Sequence, residues 1–229
     1  MLAYNPPVPI TGESPIGNPM SSTMDPLGPN PRPIDANSTI TSVSGQQAPR
    51  IHHIWIVTGP AGCGKTTVAE FLSTSLNLPY LEGDAFHSQA NIDRMANNIP
   101  LEDADRWDWL ISLREESLKQ LAAGSEGVVL TCSALKRKYR DVIRVASYFT
   151  PDVKVHFIYL HAPEALLLDR VGQRQGHYMG ATMVRSQFEI LEPPTAEETD
   201  VISVDVSGTR EDVCIAALSQ AENKMREAA

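Results

Sequence analysis

Gly59-Pro60-Ala61-Gly62-Cys63-Gly64-Lys65-Thr66-Thr67 fits G-x-x-x-x-G-K-[ST], a loop whose backbone wraps the phosphates of a nucleotide. The flanking sequence supplies the context this pattern needs. His53-Ile54-Trp55-Ile56-Val57-Thr58 reads as a buried strand, and Val68-Ala69-Glu70-Phe71-Leu72 as the helix that follows. Glycines let the chain turn sharply and approach an anion closely. The loop N–H groups and the helix N-terminus then offer partial positive charge to it. In such a loop Lys65 reaches the β- and γ-phosphates and the Thr66 hydroxyl ligates Mg²⁺. The whole run from Gly59 to Thr67 is the candidate nucleotide-binding segment, and ATP and Mg²⁺ are the expected cofactors.

Outward from this loop the chain alternates short apolar runs with amphipathic stretches. Strands are expected at Ile54–Thr58, Tyr80–Asp84, Gly127–Cys132, Lys154–Leu160 and Val201–Val206. Helices are expected at Lys65–Leu76, Ser88–Ala96, Arg106–Ala122, Lys136–Ala146, Pro163–Arg170, Thr182–Ile190 and Arg210–Arg226. This order predicts an α/β fold, a five-stranded parallel sheet covered by helices on both faces. Ligands of such sheets bind beyond the carboxyl ends of the strands, so the chemistry should lie there.

Residues 1–50 have a different character. They hold ten of the 17 prolines among Ser, Thr, Asn and Gly, with no aliphatic period. Such a segment buries too little apolar surface to offset its ordering entropy, so a disordered tail is expected before a folded domain at 51–229. Its first arginine is Arg32, after Glu13 and Asp25, unlike an Arg-rich, acid-poor mitochondrial presequence.

The 229-residue chain carries a net charge of −9 and a pI near 5.1, which argues against a nucleic-acid partner held through a basic surface. No run approaches the roughly 18 apolar residues of a membrane span. Cys63, Cys132 and Cys214 form neither a disulfide framework nor a C-x-x-C metal site, which fits a reducing compartment, the cytoplasm. Cys63 stands at a helix N-terminus, where a thiolate is favoured, although a small loop-filling side chain is the plainer reading.

Three post-strand segments carry the candidate acceptor site. In Leu81-Glu82-Gly83-Asp84, two carboxylates two residues apart at a strand end point the same way, with Gly83 leaving room between them. One can hold Mg²⁺ through water and the other an acceptor hydroxyl, a division suited to phosphoryl transfer. Ser88 is an N-cap candidate, and His87, Asn91 and Arg94 would share one face of the next helix. Lys136, Arg140 and Arg144 recur every four residues after the third strand, a cationic stripe able to hold a carboxylate or phosphate. Cys132-Ser133 stand where many phosphate-loop proteins carry a metal-supporting Asp, which leaves Glu82 and Asp84 as the source of that acid. Arg170, Arg174 and His177, among Gly172, Gly176 and Gly180, resemble a mobile lid whose cations close over the transferring group, though one arginine could instead stack on adenine. Val204 to Thr209 suits the edge of a base pocket, and its D-x-x-G match is fortuitous because no N-K-x-D follows. Trp107 and Trp109 read as anchors of a helix on the core.

Taken in order, several of these stretches resemble gluconokinase: Gly59–Thr67, Leu81–Asp84 with His87, Asn91-Ile92 and Met95, and Ile99-Pro100-Leu101 with Asp105-Arg106 and Trp109-Leu110. Cys132–Lys136 with Tyr139-Arg140-Asp141, Gly176-His177, and Ser186-Gln187-Phe188 with Leu191-Glu192 extend the resemblance. It runs from about Ile51 to the C-terminus. It implies a P-loop kinase three-layer fold with a lid, similar to shikimate and nucleoside-monophosphate kinases, and ATP-dependent phosphorylation of the 6-hydroxyl of D-gluconate. By the same analogy Asp84 contacts the acceptor hydroxyl and Glu82 a metal-bound water. Lys65, Asp84 and Arg174 are then the expected catalytic residues and Thr66 and Glu82 the metal-supporting ones. Arg170 joins the nucleotide site, and Asp84, His87, Arg94, Lys136, Arg140 and His177 are expected to bind the substrate. ATP and gluconate are the expected partners, with no nucleic acid or membrane, and a homodimer is held open. Another small hydroxy acid such as shikimate, or nucleotide binding without an acceptor, are the rival readings.

Overall fold

The structure is a computed structural model that describes residues 50–97, 99–173 and 181–228. The expected N-terminal tail up to residue 49, and the lid segment 174–180 with Arg174 and His177, lie outside the described residues.

Five strands form one sheet: β1 His52–Thr58, β2 Tyr80–Leu81, β3 Gly127–Thr131, β4 Val153–His161 and β5 Val201–Asp205. Their order is β2-β3-β1-β4-β5, with every neighbouring pair parallel. Helices α1 Lys65–Leu76, α2 Gln89–Ala96, α3 Trp107–Ala122, α4 Arg137–Phe149, α5 Glu164–Gly172, α6 Ala181–Ile190 and α7 Arg210–Ala228 connect and cover them. The period-2 alternation of a strand explains the two cores. Trp55 and Val57 of β1 pack with α1 and α7 residues such as Leu72, Val213 and Ala217. Ile54 and Ile56 face the other way, onto Leu110 and Leu113 of α3 and Ile143 of α4. The result is helix, sheet, helix in three layers, as the sequence pattern requires.

The expected strand through Asp84 is shorter than its sequence suggested. β2 stops at Leu81, and Gly83–Phe86 wind into a 3₁₀ turn. The cause lies at Gly83, where a Cβ would sit 1.9 Å from the Thr131 carbonyl oxygen. Glycine here lets the turn press onto the end of β3, so the room it creates is taken by protein backbone. Ser88 caps α2 as expected, its hydroxyl accepting from the Asn91 N–H at 3.3 Å.

At the amino ends of the strands, away from the loop, His53 of β1 and His156 of β4 share a hydrogen bond at 3.0 Å between Nδ1 and Nε2. His156 also stacks on Trp55 at 4.3 Å. Burial, reinforced by His53, pushes His156 down to about 4. Among the described residues no helix is long and apolar enough to cross a membrane.

Candidate active site

The phosphate loop leaves β1 and enters α1 through Gly64, which caps the helix at φ 99°. That left-handed conformation is cheap only for glycine, and no atom lies within 4 Å of where its Cβ would stand. Lys65 lies across the loop, its Nζ donating to the carbonyls of Gly59 and Pro60 at 3.1 Å each. Gln187 of α6 accepts from the Ala61 N–H at 2.7 Å and so ties the loop to the helix beyond the 174–180 segment. Cys63 is buried, and burial pushes its thiol up despite the neighbouring Lys65, in line with the loop-filling reading and against a favoured thiolate.

Beside the loop a pocket is lined by Gly62, Gly64, Thr67, Arg170, Val206, Gly208 and Arg210. Arg170 is held there by donating to the Val206 carbonyl at 2.7 Å. This puts Arg170 and the β5–α7 loop together in one pocket beside the phosphate loop, and adds Arg210, a residue without a role in the sequence pattern.

The two carboxylates of the second segment separate into different environments. Glu82 accepts from Thr131 Oγ1 and Tyr80 Oη, both at 2.5 Å, and from Thr66 Oγ1 at 3.2 Å. Burial pulls its pKa upward, but these donors outweigh burial and hold it below the usual carboxylate range. A firmly ionised oxygen donor beside the loop hydroxyl suits a hard cation that keeps several waters. Thr66 and Glu82 therefore fit Mg²⁺. Asp84 lines a second cleft with Lys65, His87, Leu101, Arg106 and Ser133. Burial, aided by Glu82 and opposed by Lys65, raises its pKa. One carboxylate is thus kept anionic and the other made more basic, the separation that divides roles between paired acids.

The turn carrying Asp84 is fixed by a residue read from sequence only as a core anchor. Trp109 Nε1 donates to the Gly83 carbonyl at 2.7 Å, and its ring stacks on His87 at 4.1 Å. Burial, with the charge of Arg106 second, pushes His87 down to about 4. Its imidazole is neutral at physiological pH.

The remaining expected substrate cations are engaged elsewhere. Arg140 is 2% exposed and grips Glu198 in a two-pronged pair, Nε to Oε2 at 2.8 Å and Nη2 to Oε1 at 2.7 Å. Arg144 joins it through Glu198 and Asp200. Arg140 is accordingly engaged in a buried ion pair between α4 and the segment before β5 and is not among the residues lining the cleft, unlike the exposed substrate cation expected from sequence. Lys136 pairs with Asp103 at 2.9 Å, where Lys138 and the Tyr139 hydroxyl also donate. Arg94 pairs with Asp105 at 3.4 Å, and Asn91 donates to the Asp105 carbonyl at 2.6 Å. His87 precedes α2 instead of sharing its face, so the expected His87–Asn91–Arg94 face is not formed. Lys136, Arg94 and Asn91 instead pin the segment 99–106, which delivers Leu101 and Arg106 to the acceptor cleft.

A phosphate loop on a five-stranded parallel sheet, with an ionised acid at its hydroxyl and a basic carboxylate in the adjoining cleft, defines a P-loop kinase for small molecules. Comparison with known proteins narrows this. The family described as AAA domain matches residues 54–192. The chain is 44% identical over 181 residues to a probable gluconokinase of Schizosaccharomyces pombe, covering 76% of this chain and 89% of that protein. It is 42% identical over 143 residues to a gluconokinase of Gluconobacter oxydans, covering 62% and 77%. The crystal structure of a gluconokinase from Sinorhizobium meliloti superposes with a TM-score of 0.66 at 34% identity, covering 79% of this chain and 99% of that one. The chain belongs to the gluconokinase family.

Proposed function

We propose that the protein transfers the γ-phosphoryl group of ATP to the 6-hydroxyl of D-gluconate, giving 6-phosphogluconate and ADP. The observation that carries this reading is the meeting of Lys65 and Asp84 in one cleft, with Thr66 and Glu82 joined at its edge. Lys65 leaves the loop carbonyls for the β- and γ-phosphates and offsets their charge. Asp84 orients the 6-hydroxyl in line with the γ-phosphorus and takes its proton as the O–P bond forms and the bond to the bridging oxygen breaks. Its raised pKa strengthens it as a base. Thr66 and, through water, Glu82 would hold Mg²⁺, which would supply neutralisation of the phosphate charge. Arg170 and the β5–α7 loop flank the adenine. A cytoplasmic enzyme is consistent with three buried free thiols.

An ADP-release assay with gluconate, shikimate and other small hydroxy acids tests the reading. Gluconate should stimulate turnover far above the rest. Lys65→Ala should lower kcat by about 10²–10³-fold, the usual cost of one preorganised donor at developing phosphate charge, with the circular-dichroism spectrum unchanged. ATP binding without gluconate-stimulated ADP release would instead mark a non-catalytic nucleotide module.

A further inference from the structure

Gluconate is an anion with its charge at the end of the chain opposite the hydroxyl that reacts. A site that places the 6-hydroxyl at Asp84 must meet a carboxylate some way along the cleft. Lys136 and Arg140, which the sequence offered for this purpose, are already engaged by Asp103 and Glu198. Arg94 is paired with Asp105, donates to the Pro100 carbonyl and is not among the residues that line the cleft. His87 lines the cleft but is uncharged at neutral pH.

Among the described residues two cations line the acceptor cleft, Lys65 and Arg106. Lys65 is committed to the nucleotide phosphates. Arg106 is 8% exposed, and among the described residues no carboxylate lies within ion-pair distance of it. Its Nη2 donates to the Leu101 carbonyl at 3.2 Å, its Nε is buried without a partner, and its guanidinium carbon lies 5.5 Å from the Tyr139 ring centroid. A buried cation with an unfilled donor is costly to maintain, and proteins keep one where an anion arrives to complete it. The fork of a guanidinium also matches a carboxylate in two parallel hydrogen bonds, which an ammonium cannot do.

Resting on the gluconate reading above, we propose that Arg106 binds the acceptor's carboxylate and is the specificity-determining residue that makes the enzyme prefer an aldonic acid over a neutral polyol. The polar network on Asp103 and Asp105 acts behind it. Lys136, Lys138, Tyr139, Arg94 and Asn91 hold the segment that carries the guanidinium, so they position it without touching the substrate themselves.

The experiment compares D-gluconate with D-gluconamide, which has the same chain but a neutral end, in wild type, Arg106→Met and Arg106→Lys. Wild type should favour gluconate by about 10²-fold in kcat/KM, the scale of a charge-assisted two-pronged pair. Arg106→Met should lose about that factor for gluconate, while gluconamide turnover and the KM for ATP stay within about threefold. Arg106→Lys, which keeps charge but not the fork, should fall between them. Should Arg106→Met fail to fold, the lysine variant alone decides: a loss confined to gluconate supports the assignment. Equal losses on both substrates, or wild type turning over gluconamide as well as gluconate, would overturn it and leave the proposed reaction standing. Wild type without any gluconate turnover would sink the proposed reaction itself, and the carboxylate assignment with it.

Discussion

The nucleotide half and the acceptor half of the cleft are built by opposite strategies. The phosphate-binding part of the nucleotide half is contiguous: β1, the loop Gly59–Gly64 and the start of α1 supply Lys65, Thr66 and the backbone donors. The acceptor half is assembled from the 3₁₀ turn after β2, the 99–106 segment, the end of β3 and α6. Its geometry depends on partners remote in sequence, such as Trp109 on Gly83, Thr131 on Glu82 and Asp103 under Lys136. A local motif is fixed by the conformations its own residues allow. A distributed site is fixed by tertiary contacts, so damage to it can come from residues that never meet substrate.

That contrast can be broken first at Arg140. If this arginine belongs to the frame, Arg140→Ala should cost about 3 kcal/mol of stability, because buried Glu198 keeps Arg144 but loses its two-pronged partner. The KM for gluconate, measured on the folded fraction, should stay unchanged. Denaturant midpoints and steady-state kinetics on the same preparation separate the two, and an intact midpoint with a raised KM would return Arg140 to the substrate.

The next effect is smaller and purely geometric. Gly83→Ala forces its new methyl group against the Thr131 carbonyl, so the Asp84 turn must lift. A shift of about 1 Å can cost about 10²-fold in rate, so kcat should fall by that order. The KM for ATP should hold, because the phosphate loop is built without the turn. A rise in the ATP KM as large as the fall in kcat would show that the halves are not separable.

The smallest effect is in pH. His87 sits at about 4 because it is buried, so between pH 8 and 6 it stays neutral and the KM for gluconate should change by less than about twofold. Tightening by tenfold through pH 6.5 would mean a cationic His87 in the acceptor half. Stability behaves differently. The folded His87 and His156 take up protons only near pH 4, whereas the unfolded chain takes them up near 6.5. The unfolded state therefore binds more protons in that window. Their contribution to stability is complete above about pH 6.5 and should be lost as pH falls toward 4, a decline readable from urea midpoints.

The same contrast explains what the sequence revealed. The positions of strands and helices along the chain and the phosphate loop were legible because periodicity and glycine placement are local. The paired acids Glu82 and Asp84 were also legible, since they adjoin a strand end. The destinations of the cations were not. Arg140 finds Glu198 some 58 positions away, and nothing in a four-residue spacing tells a solvated stripe from a buried pair. Glu197-Glu198, close after Pro193-Pro194, was the available hint that the stripe had acidic partners. Arg106 stood within the family resemblance but carried no signal of its own. The role proposed for it emerges only when the other described cations near the cleft are found to be engaged.

Trp109 gives this enzyme an optical handle. Its indole is bonded to the backbone of the acid-bearing turn and lies flat on an imidazole in the acceptor cleft. An imidazole in van der Waals contact quenches indole fluorescence more strongly once protonated, and displacement of the ring relieves the contact. Occupancy of the acceptor cleft should therefore be visible in the protein's intrinsic emission, with Trp55 and Trp107 as a steady background, and binding could be followed in real time without a label.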